Sequence, residues 1–81
     1  MTFEQFYETY ATHRKDYPPM MAAWITITPD AMTKPVADFH HFQRGIEELH
    51  RKRGGRGQPD EADLLAIVTE RLRQTSAGKW L

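Results

Sequence analysis

Large apolar side chains are scarce in this chain, and that scarcity limits the folds open to it. Ile, Leu, Val and Phe supply 15 of its 81 residues, and it contains no cysteine. A chain of this length buries only about two-thirds of its unfolded surface, and no disulfide or Cys-ligated metal can supplement the core. The balanced charge nevertheless argues against disorder. We therefore predict a single small domain over residues 1–81 that gains further burial from a second chain.

The charge and length of the chain also narrow the classes of function. Eleven basic and eleven acidic residues give a formal net charge of zero, so no overall field attracts nucleic acid or an anionic membrane. The chain has no apolar run of about 18 residues and no signal-peptide pattern, so we predict a cytoplasmic protein that does not enter a membrane. A thin core leaves little room for a substrate pocket, and no catalytic constellation is recognisable. We therefore predict neither enzymatic activity nor a cofactor.

The N-terminal segment predicts an amphipathic helix. Thr2 and Gln5 fit a capping box with Thr2 as the N-cap. The pair Pro18-Pro19 should end the helix, because a residue before proline is pushed out of the α region. Aromatic residues at helical spacing predict its buried stripe, which comprises Phe3, Phe6, Tyr7, Tyr10 and Tyr17.

The segment from Met20 to Thr28 supports two interpretations. The alternation of β-branched residues from Trp24 to Thr28 is typical of a strand. Pro19, however, can occupy the first turn of a helix, and the sequence offers no second strand for pairing. We therefore predict a helix here, followed by a short turn that Thr28 caps and that ends near Pro35.

A longer helix is predicted from Pro35 to about Arg53. Gly45 lies inside it and indicates either a close crossing with another helix or plain tolerance. The predicted apolar stripe comprises Val36, Phe39, Phe42, Ile46 and Leu49. Two i,i+4 ion pairs are predicted on the outer side, Glu47–Arg51 and Glu48–Lys52.

A glycine-rich loop over residues 54–58 separates this helix from the last one. Acids at the start of the last helix (Asp60, Glu61 and Asp63) are explained by capping and by the helix dipole. Gly78 is a predicted stop, and residues from about 75 to 81 are a predicted flexible tail. The wide apolar face of this helix comprises Leu64, Leu65, Ile67, Val68 and Leu72. The predicted fold is all-α, a compact bundle of three main helices plus one or two short helical turns.

Several large apolar residues are not needed for the three predicted apolar stripes, and they favour a protein-binding function. Met and Trp side chains are effective anchors at protein interfaces. We predict a small regulator, inhibitor or adaptor, of the kind that phages and mobile elements carry, that docks a helix face on another protein and forms a homodimer. Trp24 can instead complete the core. The candidate interface residues are Met20, Met21, Trp24, Trp80 and Leu81.

Two alternative functions use other residues. A nucleic-acid-binding accessory protein would contact phosphates through a basic loop, although no aromatic residue interleaves it for base stacking. Its candidate residues are Arg44, Arg51, Lys52, Arg53 and Arg56. A dimeric di-metal protein would use Glu47 and His50, which have the Glu-x-x-His spacing of carboxylate-bridged bundles. Because Glu47 is committed to the outer face in this interpretation, we favour surface or boundary histidines and predict no metal site.

Overall fold

The computed structural model describes residues 2–74, apart from the side chain of Gln74. It contains helices α1 (Phe3–Arg14), α2 (Pro19–Ile27), α3 (Val36–Lys52) and α4 (Glu61–Gln74), with a 3-10 turn at Ala31–Thr33. The all-α bundle with three main helices and short additions is therefore confirmed. The predictions for Gly78, Trp80, Leu81 and the tail at 75–81 lie outside the described residues. No helix within residues 2–74 has the length and apolar character that a bilayer crossing requires.

Helix α1 begins with the predicted capping box. The amide of Gln5 donates to Oγ1 of Thr2 at 3.2 Å, and the amide of Thr2 donates to Oε1 of Gln5 at 2.9 Å. Phe6 and Tyr10 are buried, as the aromatic stripe predicts. The prediction was wrong for Phe3 and Tyr7, which are 36% and 46% exposed. The aromatic stripe is wider than the arc of α1 that the rest of the bundle covers.

Helix α2 is the centre of the bundle, and the helical interpretation of this segment is confirmed. The segment 18–29 contains no charged residue, and α2 contacts α1, α3, α4 and the 3-10 turn. Ala22 and Ala23 are completely buried, because their small side chains allow the neighbouring helices to approach closely. A helix enclosed on several sides needs apolar residues around most of its circumference, so they are not confined to one helical stripe and the alternating pattern resembled a strand.

The turn after α2 forms where the sequence predicted it, but Thr28 does not cap it with its side chain. Thr28 is extended, and its carbonyl oxygen accepts from the amide of Ala31 at 3.2 Å. Asp30 precedes the 3-10 turn with φ +60° and makes no side-chain cap bond. The sharp reversal therefore depends on a left-handed residue, which Asp tolerates better than most.

Helix α3 begins at Val36 and ends at Lys52, with Pro35 and Arg53 as its caps. Phe42 and Ile46 are buried, while Phe39 and Leu49 are partly buried. Val36 was wrongly assigned to the buried stripe. It is 67% exposed, because the whole first turn at 36–38 is exposed and has no helix packed over it. Of the two predicted ion pairs, only Glu48–Lys52 forms among the described residues, at 3.6 Å.

Gly45 gives a stability prediction. A Cβ atom added to Gly45 meets nothing within 4 Å, so the proposed close helix crossing is absent at this position and the glycine is merely tolerated. Alanine in a helix interior is about 1 kcal/mol more favourable than glycine. We therefore expect Gly45→Ala to raise the free energy of unfolding by about 1 kcal/mol in urea denaturation, with an unchanged slope. A loss of stability would mean that this face of α3 is covered.

Helix α4 completes the core. The amide of Asp63 donates to Oδ1 of Asp60 at 2.8 Å, and the amide of Asp60 donates to Oδ2 of Asp63 at 3.3 Å. This reciprocal pair confirms the predicted capping role of the acids. Leu64, Ile67 and Val68 are buried, and the rest of the predicted apolar face packs against them. The buried apolar core comprises Phe6, Tyr10, Ala22, Ala23, Phe42, Ile46, Leu64, Ile67 and Val68.

Candidate functional site

Three of the predicted interface residues lie on α2 and are partly buried. Met20 and Trp24 pack against the core, and the Trp24 ring lies 5.4 Å from that of Phe42. These contacts agree with the alternative in which Trp24 completes the core. Met21 is also partly buried, while Trp80 and Leu81 lie outside the described residues. The assignment of these five residues to an interface stays a prediction.

The exposed aromatic pair on α1 is the most distinct apolar surface feature. The rings of Phe3 and Tyr7 stack at 5.8 Å with an interplanar angle of 28°. Phe3 also lies 6.2 Å from Phe6, and Tyr7 lies 6.0 Å from Tyr10, so two exposed rings rest on two buried rings. Together with exposed Ala11, which is one turn beyond Tyr7, this pair forms what we call the aromatic face. Its shape is fixed by the core beneath it.

Charged residues lie along one edge of the aromatic face. Glu4, Glu8 and Lys15 are exposed, and among residues 2–74 they form no ion pair. Their separations of four and seven residues place them in one line on the helix. The acids are in the N-terminal half and the base is at the C-terminal end. This order suits the helix dipole, and it also leaves the two halves of the line with opposite charge.

A second exposed apolar pair lies before and at the start of α3. Met32 is 66% exposed and Val36 is 67% exposed. They flank Lys34 and Pro35, both of which are also exposed. Sequence reasoning missed Met32 and misplaced Val36, although Met32 is a bulky residue in a segment already predicted to be a turn. Unlike the α1 pair, these residues have no ring stack that connects them to the core.

Tyr10, Arg14 and Glu61 join α1 to the first turn of α4. The hydroxyl of Tyr10 donates to Oε2 of Glu61 at 2.5 Å, and Nε of Arg14 donates to the same oxygen at 3.0 Å. Burial raises the pKa of Tyr10, and the hydrogen bond to negatively charged Glu61 raises it further. The hydrogen bond from Tyr10 lowers the pKa of Glu61, and Arg14 lowers it too. From the sequence, Glu61 was predicted only to suit the helix dipole, because no local pattern indicates this long-range contact.

His50 lies in a small cleft between the end of α3 and the start of α4. Its ring is 7% exposed, and Nε2 lies 3.3 Å from Oδ2 of Asp63. The prediction of a surface or boundary histidine was therefore wrong at this position. The spacing could have revealed it, because residues 42, 46 and 50 continue one face of α3. His40 and His41 are exposed, as predicted.

The cleft has limited room for a ligand. Its volume is about 230 Å³, and it is lined by His50, Arg53, Gly54, Gly55, Asp63 and Ile67. Small-molecule sites are usually larger, at about 300–1,000 Å³. Arg53 donates to Glu70 at 3.0 Å, so its side chain is held across the two helices. No group of three or more candidate metal ligands comes together within residues 2–74, and Glu47 contributes nothing to the cleft.

The five candidate nucleic-acid residues divide into two groups. Lys52 and Arg53 pair with Glu48 and Glu70, respectively. Among the described residues the other three, Arg44, Arg51 and Arg56, are exposed and form no ion pair. Arg44 and Arg51 are seven residues apart and therefore lie on the same face of α3. The structure thus does not gather all five into one free basic patch.

Comparison of the chain with protein-family models, with curated proteins and with solved structures gives no match.

Proposed function

We propose that this chain is a protein-binding domain that acts as a small regulator or adaptor, with the aromatic face of α1 as its docking surface. The proposal rests on one observation, the stacked and exposed rings of Phe3 and Tyr7. Aromatic side chains supply a large share of binding energy at interfaces, because each buries a wide surface and loses little rotamer entropy. A pair already fixed by Phe6 and Tyr10 loses even less on binding.

The surroundings of the aromatic face suit a docking site. An apolar centre with a charged rim is typical of protein interfaces, where the centre excludes water and the rim selects the partner. Here Phe3, Tyr7 and Ala11 form the centre, and Glu4 and Glu8 form part of the rim. In the His50 cleft, by contrast, Nε2 of His50 lies 3.3 Å from Asp63 and Arg53 pairs with Glu70.

Site-specific photocrosslinking tests the proposed surface. A photoreactive phenylalanine at position 7, introduced in cells that produce the protein, should yield a crosslinked polypeptide. The same group at exposed Thr9, two residues from Tyr7 and therefore on the opposite side of α1, is the matched control and should yield far less. Equal yields at the two positions, or no adduct at position 7, would contradict the assignment.

A nucleic-acid-binding role is the second candidate, favoured by the unpaired arginines at positions 44 and 51 on one face of α3. If it is correct, retention on an anionic column should fall steeply between about 50 mM and 200 mM salt. Arg44→Glu with Arg51→Glu should abolish this retention, whereas Lys52→Gln should change it little, because Lys52 already pairs with Glu48. Retention that survives the double substitution would rule out this face.

A further inference from the structure

We infer that the partner of the aromatic face is a second copy of this chain, with two α1 helices packed antiparallel about a twofold axis. This inference rests on the proposed function and names the occupant of the same surface. It is carried by the distribution of charge along α1. Glu4 and Glu8 lie near its start and Lys15 at its end, in one line beside Phe3, Tyr7 and Ala11.

The two ends of this line, Glu4 and Lys15, are complementary to each other only in the antiparallel orientation. When two identical helices run antiparallel, the edge of one faces the same edge of the other with its ends exchanged. Glu4 then faces Lys15 of the second copy, and the twofold axis repeats this pair. In a parallel pair related by a twofold axis, this edge would face the opposite edge of the second copy, so Glu4 and Lys15 would not meet.

The apolar residues agree with the same orientation. In the antiparallel register that brings residues 4 and 15 together, Tyr7 lies near Ala11 of the second copy. The small side chain of Ala11 leaves space for the Tyr7 ring at the centre of the contact. Antiparallel helix dipoles also attract each other weakly. Tyr7 and Ala11 place no charge at the centre of the contact, and Arg14, which would lie over the aromatic pair of the second copy, is already paired with Glu61.

The size of α1 sets the expected affinity. A helix of 12 residues is about 18 Å long, so the contact is smaller than the roughly 1,200 Å² of a stable interface. We therefore expect a weak dimer that forms in the range of about 10 µM to 1 mM. Sedimentation equilibrium of the full chain over that concentration range measures the association directly.

Charge reversal tests the orientation. Glu4→Lys replaces two attractive contacts by two repulsive ones, and Lys15→Glu does the same, so each should weaken dimerisation roughly tenfold. The double variant Glu4→Lys with Lys15→Glu restores opposite charges across the axis and should recover association. Both substitutions oppose the helix dipole, so the double variant should have a lower melting temperature than the original chain and either single variant. Recovery of association together with lower stability in circular dichroism melts cannot come from improved folding.

The outcomes separate this inference from the proposed function. If the protein stays monomeric near 1 mM while position 7 crosslinks a different polypeptide, the self-association is wrong and the docking surface stands. If the double variant associates no better than the single variants, the antiparallel arrangement is wrong. If position 7 yields no adduct and the chain does not associate, both proposals fail. A position-7 adduct with twice the mass of the chain, together with rescue in the double variant, establishes the inference.

Discussion

Gly55→Ala should lower the free energy of unfolding by about 2–3 kcal/mol, the largest loss we expect from any single methyl group in the described chain. A Cβ atom at this position would overlap three atoms of the His50 ring, Nε2, Cδ2 and Cε1. The ring cannot move aside easily, because it is 7% exposed and lies against Asp63. The backbone cannot move easily either, because the amide of Gly55 donates to the His50 carbonyl at 2.9 Å. Chemical denaturation at neutral pH measures the loss.

A double-mutant cycle identifies the cause of this loss. In a His50→Ala background the ring is gone, so Gly55→Ala should have little further effect, and the coupling energy should be about 2 kcal/mol. Gly54→Ala is the matched control. Gly54 has φ +85° and open space around its Cβ position, so its loss should come from backbone strain and should not depend on residue 50. Additive losses for residues 50 and 55 would show that the ring is not what excludes a side chain.

The glycine loop shows how far the sequence determines the fold. The glycine-rich segment at 54–57 predicts a turn correctly, since left-handed residues such as Gly54 and Gly57 are required there. The same segment does not distinguish a glycine needed for its backbone angle from one needed for its missing side chain. Gly55 belongs to the second kind only because α3 and α4 bring His50 over it. That contact depends on tertiary packing, which local propensity does not encode.

Local sequence signals, such as capping residues and apolar spacing, predicted the positions of the helices well. They predicted the exposure of individual side chains poorly. The capping boxes at Thr2 and Asp60 depend on residues three apart, so the sequence contains all of the information that fixes them. The exposure of Phe3, Tyr7 and Val36 depends instead on where neighbouring helices end. A periodic stripe gives the apolar face of a helix, but not how much of that face other elements cover. The docking surface proposed for α1 is therefore visible only in the folded chain.

Tyr10→Phe should lower the free energy of unfolding by about 1.5 kcal/mol at neutral pH. The buried hydroxyl of Tyr10 donates to Glu61 at 2.5 Å and connects α1 to α4. Hydrogen bonds to charged groups contribute about 1.5–3 kcal/mol, and we take the lower end because the Glu61 side chain is 44% exposed. Tyr7→Phe is the matched control, since among the described residues the exposed Tyr7 hydroxyl forms no hydrogen bond, and this substitution should be nearly neutral.

The same pair predicts how stability varies with pH. The folded pKa of Glu61 is lowered by its hydrogen bond from Tyr10 and by Arg14, so its contribution is present above the unfolded pKa of about 4.3 and is lost as pH falls through the folded value. The folded pKa of Tyr10 is raised by burial and by Glu61, so its contribution is present below about pH 10 and is lost as pH rises through the folded value.

Tyr10→Phe should therefore remove the alkaline loss assigned to residue 10 and weaken the acid loss. The acid loss should not disappear, because Arg14 still donates to Glu61 at 3.0 Å. Glu61→Gln is the complementary variant. It should reduce the loss of unfolding free energy at low pH further, since it removes the titrating carboxyl itself. Urea denaturation across the pH range measures the loss of unfolding free energy at both acid and alkaline pH. Carbon-13 NMR of the Glu61 carboxyl reports its pKa directly. A Glu61 pKa that does not rise in Tyr10→Phe would show that the hydroxyl does not stabilise the carboxylate.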